Sequence, residues 1–64
     1  MSNPSFHRYG IVKHVKGTSY EHDCLITDVN FEVREFSHEG AEMFMRQLHA
    51  RYGNEYSFRI VRLD

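Results

Sequence analysis

The segment from Phe31 to Leu63 constrains this chain more than any other. Phe31-Glu32-Val33-Arg34-Glu35-Phe36 alternates apolar and polar residues, the period of a half-buried strand. Ser37 then offers a hydroxyl to first-turn amides that lack a partner, as a helix N-cap does. Glu39 stands in the electropositive first turn and Arg51 in the electronegative last turn. Ala41, Phe44, Met45, Leu48 and Tyr52 recur at i, i+3, i+4, i+7 and i+11 and line one helical face. Glu42 and Arg46 add a favourably ordered i, i+4 pair. Gly53 is expected to close the helix in the left-handed conformation. Gly40, a weak helix former, suggests a close approach of helix to sheet. Tyr56 to Leu63 returns as an extended run, with Tyr56, Phe58, Ile60 and Arg62 on one face and Ser57, Arg59, Val61 and Leu63 on the other. Phe58 and Ile60 should meet the helix.

Upstream, residues 7–15 alternate imperfectly. Tyr9, Ile11 and Val15 share a face into which Lys13 intrudes, and Gly10 interrupts the other. A lysine on the apolar face and a glycine within the run predict a strand near a sheet edge. Lys16-Gly17-Thr18-Ser19 is turn chemistry. Tyr20 to Phe36 permits two readings. Leu25, Val29, Phe31 and Val33 share odd parity and would suit one long strand, whereas Asp28-Val29-Asn30 would suit a tight turn between two short ones. Common strand lengths favour the split, with strands over residues 20–27 and 30–36. The expected fold is α+β, in the order β-β-β-α-β: a small antiparallel sheet of three or four strands with one helix on one face. Its core would take Tyr9, Ile11, Leu25, Phe31, Val33, Phe58 and Ile60 with Phe44, Met45, Leu48 and Tyr52. Residues 1–6 are expected to be a flexible tail and residues 7–64 one domain.

With 64 residues, a chain buries only about 60% of its unfolded surface and is marginally stable. Cys24 is the sole cysteine, so no intrachain disulfide compensates, and a reducing, cytoplasmic setting is expected. Met1 to Ser5 has neither a basic nor an apolar run, and no apolar stretch is long enough to span a bilayer; no signal peptide and no membrane partner are expected. The net charge is −1, but charge is segregated. Met1 to Tyr20 carries Arg8, Lys13 and Lys16 without an acid. Glu21 to Glu42 carries seven acids against Arg34, and the remainder returns to Arg46, Arg51, Arg59 and Arg62. Such segregation can steer association with a charged partner or be compensated locally across the sheet.

Motifs for chemistry are lacking. The five histidines have no pair-of-pairs spacing for zinc: His7 and His14 face opposite ways on a strand, and His38 and His49 stand about three turns apart on the helix. His22 and Cys24 are two apart, but a thiol nucleophile needs a nearby base and a lowered pKa, and an inert, packed thiol is the simpler reading. Glu32 and Glu35, or Glu39 and Glu42, have no cleft to act in. We therefore expect no enzyme, no metal and no cofactor. Arg46, Arg51, Arg59 and Arg62 with nearby aromatics would suit nucleic acid, though without a recognised motif. A protein-binding surface fits better, with Arg and Tyr on exposed strands as contact anchors; an edge strand could also pair with a second copy in a homodimer or structural homo-oligomer. The expected contact residues are Arg59 and Arg62 on the last strand, Glu32 and Glu35 on its neighbour, and Arg46.

From Phe31-Glu32-Val33 onward, through Phe36, a helix entered by a small polar residue, Tyr52 near its end, and Phe58 to Arg62, the chain resembles the family of small early proteins of T-odd coliphages that inhibit host RNA polymerase. The resemblance implies a phage protein that acts in the host cytoplasm by binding a bacterial complex, through acidic surface and arginines of the last strand. Arg62 falls on a matching position. Arg59 does not, because it lies three residues from Arg62 and faces the other way.

Overall fold

The computed structural model describes residues 7–64; the tail expected over residues 1–6 lies outside them. Three strands, β1 (Tyr9–Val15), β2 (Cys24–Leu25) and β3 (Tyr56–Arg62), and one helix, α1 (His38–Tyr52), form a small α+β arrangement. The sheet is antiparallel in the order β2-β1-β3. The pairing of β1 with β3 runs over seven residues, from Tyr9 opposite Arg62 to Val15 opposite Tyr56. That register brings Tyr9, Ile11, Lys13 and Val15 onto the same face as Tyr56, Phe58, Ile60 and Arg62.

Helix α1 lies on this face. Ser37 caps it as expected, its Oγ accepting from the Gly40 amide at 3.1 Å. His49 meets Phe58 edge-on at 5.4 Å between centroids, and His38 meets Tyr9 at 5.1 Å. The Phe36 and Phe44 rings meet at a tilt of 30°, 5.2 Å between centroids. Ile11 and Ala41 are wholly buried, and Val12 nearly so. Ala41, rather than Gly40, is the small residue buried in the core; Gly40 sits over the N-cap, where an added Cβ would come within 3.1 Å of Ser37 Oγ.

Sequence and structure part at several points. β1 is the central strand, not an edge. Gly10 is accommodated there because Leu25 and Leu63 close over it; an added Cβ would stand 3.0 and 3.2 Å from their methyls. Gly53 has φ −62°, in the right-handed region. Its amide still bonds the His49 carbonyl at 3.0 Å, and the chain makes one further turn before β3. Glycine is suited to the site because a Cβ would collide with that carbonyl. The strand expected over 20–27 is a single 3-10 turn, Tyr20–His22, followed by two-residue β2, because the Ser19 hydroxyl accepts from the Glu21 amide and starts a turn.

The strand expected over 30–36 is absent as a continuous element. It survives only as isolated bridges, Thr27 to Val33 and Tyr9 to Phe36. The edge beside β1 is thus interrupted. Ile26 bonds Ile11 and Phe36 bonds Tyr9 in both directions, while residues 27–35 leave the sheet as an excursion. Consequently Phe31 and Val33 are exposed rather than core; Tyr52, also expected in the core, is exposed at the end of α1. Arg34 spans the base of the excursion, its guanidinium 5.4 Å from the Phe36 ring and 4.9 Å from Phe44.

Ile11 is the largest fully buried side chain among the described residues. Truncation there removes packing and opens a cavity, so Ile11→Ala should cost about 2–5 kcal/mol, enough to leave a domain this small largely unfolded. A urea titration followed by circular dichroism checks this.

Candidate interaction surface

The excursion is organised by one side chain. Asp28 Oδ1 accepts from the Asn30 amide at 2.8 Å and the Glu32 amide at 3.1 Å. Its backbone closes the same turn, with Phe31 N–H donating to Asp28 O at 3.1 Å and Asp28 N–H donating to Glu32 O at 2.8 Å. Asp favours such turns because its short carboxylate reaches the amides two or more residues on. The closure forces Phe31 into the left-handed region at φ 63°, among the described residues the only non-glycine there. An aromatic residue in that conformation is strained. Val29 is 91% exposed and Phe31 88% exposed, so the tip presents two large apolar side chains between Asp28 and Glu32.

A second polar cluster ties the sheet's other face together. His14, buried on β1, shares a hydrogen bond with Asp23 Oδ1 through Nδ1 at 2.6 Å, and the exposed ring of Tyr20 lies flat on it at 4.3 Å. Arg59 Nη1 on β3 donates to Asp23 Oδ2 at 2.7 Å. The Asp23 side chain retains 7% of its exposure. The Arg59 hydrogen bond, with further help from His14, outweighs desolvation and holds the Asp23 carboxyl below its ordinary 3.8. This links the chain ahead of β2 to β3 across β1.

The five residues expected to form a contact surface do not converge. Arg59 lies on the face away from the helix and is engaged by Asp23. Arg62 lies at the other end of β3, on the helix-side face, 3.4 Å from Asp64. Glu35 pairs with Arg8 at 3.0 Å near that same end of the sheet. Glu32 sits at the loop tip, and Arg46 is exposed on α1. Glu32 and Glu35 are not on a strand beside β3, whose neighbour is β1. Of the two tip residues, parity assigns Phe31 to the core, whereas the structure leaves it outside; the sequence signal for the tip is the Asp28-Val29-Asn30 turn chemistry immediately before Phe31. Among the described residues no group of three or more His, Cys, Asp or Glu could hold a metal ion, and no helix is long and apolar enough to cross a membrane. No family model, curated protein or solved structure matches the chain.

Two outcomes follow from this geometry. A carboxyl whose folded pKa lies below its unfolded value stabilises the fold above the unfolded value and loses that contribution as pH falls through the folded one. Stability should therefore decline on acidification below 3.8, and Asp23→Asn should show a shallower decline there with lower stability at neutral pH, measured by thermal melts against pH. At the tip, Phe31→Gly relieves left-handed strain of about 1 kcal/mol while adding unfolded-state freedom. Its melting midpoint should stay close to that of the parent, marking Phe31 as a residue the fold does not need.

Proposed function

We propose that the chain is a small non-catalytic protein-binding module whose contact element is the tip of the excursion. Val29 and Phe31 enter an apolar pocket of the partner, and Asp28 and Glu32 meet cations at its rim. The observation that carries this reading is Phe31: an aromatic side chain 88% exposed on a strained backbone. Strain of that kind persists only where surrounding bonds enforce it, and it clusters at functional positions. Exposed aromatics are effective interface anchors, and a tip held by four hydrogen bonds through Asp28 loses little freedom on docking. The acidic flanks agree with the acidic middle third of the sequence, which favours a basic rim on the partner. The resemblance to the phage early proteins supports a bacterial complex, RNA polymerase first, as the target, with Arg62 as a secondary contact.

The test is binding of purified bacterial RNA polymerase, and of complexes from nuclease-treated bacterial lysate, to the immobilised parent chain, Phe31→Gly and Arg62→Glu. We expect one stoichiometric complex on the parent. Loss of an anchor worth about 2 kcal/mol weakens binding roughly 30-fold, so Phe31→Gly should release it, and Arg62→Glu should weaken it without lowering the melting midpoint. Capture undiminished by Phe31→Gly would remove the tip from the interface. Binding restored only by added nucleic acid, and falling steeply with salt, would replace this reading with a nucleic-acid one.

A further inference from the structure

Lys13 stands on the helix-facing side of the central strand, where the fold would be served by an apolar residue. Its cross-strand partners are Cys24 on β2 and Phe58 on β3. It borders a cavity of about 420 Å³ between the β2 edge and the C-terminal half of α1, lined also by Leu25, Ile26, Thr27, Leu48, Tyr52 and Tyr56. That volume lies within the range of small-molecule sites. The walls are mostly aliphatic and aromatic, and no lining residue is acidic. Lys13 takes part in none of the ion pairs among the described residues. Lys13 is half-buried as a residue, and its ammonium lies over the Tyr56 ring, 5.0 Å from the centroid.

We propose that this cavity binds a small apolar carboxylate, with its ring or alkyl body against Ile26, Leu48 and Phe58 and its carboxylate on Lys13 Nζ. Charge complementarity selects the head group: a cation at an apolar site with no lining acid attracts an anion, and a charge-assisted bond there is stronger than a neutral one. The aromatic and aliphatic walls select the body. The site is separate from the tip formed by Val29 and Phe31, so either reading can fail without the other.

The experiment is an amide-resolved NMR titration of the full chain with phenylbutyrate, indole propionate and octanoate, each beside its uncharged amide. At least one acid should saturate with a Kd on the order of 1 mM or tighter, as expected for ligands of this size, and should shift Cys24 to Thr27, Leu48 and Phe58. The acid should bind roughly tenfold more tightly than its amide. Lys13→Met should abolish that difference while keeping the apolar contact; Lys13→Gln serves as a second variant should the first not fold. Several results would overturn the proposal: no saturable shift with any acid, equal affinity of acid and amide for the parent chain, or shifts that map away from the cavity. Binding by a peptide ending in phenylalanine with a free carboxylate, but by none of the small acids, would overturn it too, making the groove a chain-terminus site. Equal affinity would mean that Lys13 serves only to cover Phe58 with its aliphatic stem.

Discussion

The seven-residue ladder between β1 and β3, which sets Ile11 opposite Ile60, is the constraint on which the rest of the molecule depends. It joins the beginning of the described chain to its end, and helix α1 lies on the surface it creates. Ile11 on the ladder and Ala41 on α1 are both fully enclosed. Few other side chains are buried so completely, as surface-to-volume scaling requires of a chain this short. The core is therefore supplemented at its margins. Aromatic pairs such as Phe36 with Phe44 and Tyr52 with Tyr56, and the His14-Asp23-Arg59 chain on the opposite face, bridge elements that apolar burial alone would hold weakly.

The same ladder explains where the unusual features lie. β1 has one long neighbour, β3, and one interrupted neighbour made of Cys24 to Ile26 and Phe36. An interrupted edge leaves chain to spare, and Asp28 gathers that chain into a defined turn rather than a loose loop. A short β2 also fails to cover the C-terminal half of α1, which leaves the cavity beside Lys13. The exposed tip and the cavity are thus two results of one structural fact, the shortness of the pairing on the β2 side.

Much of the fold was legible because its signals were local. The Ser37 cap and the spacing from Ala41 to Tyr52 need only neighbouring residues to be read, and so does the alternation of Tyr56 to Arg62. Lys13 and Gly10 stand out as intrusions within residues 7–15, but their meaning depends on Leu25, Leu63 and Tyr56, all distant in sequence. Phe31 and Val33 lie outside the core that parity expects for a related reason. Parity assigns a face only while a strand continues, and the Asp28 turn ends that continuity. Arg59 and Arg62 were rightly set on opposite faces by parity alone, whereas the engagement of Arg59 by Asp23 could not be anticipated from residues so far apart.

By itself, the sequence determined an α+β class, one amphipathic helix with its cap, a final strand with its two faces, and a segregated distribution of charge. These are consequences of period and of short-range hydrogen bonding, which act between residues close along the chain. Only the tertiary structure decided that β1 is central, that residues 27–35 leave the sheet with Val29 and Phe31 outward, and that Lys13 borders an apolar cavity. Each of these depends on which strands pair and in what register, and pairing is settled by burial of surfaces contributed from both ends of the chain.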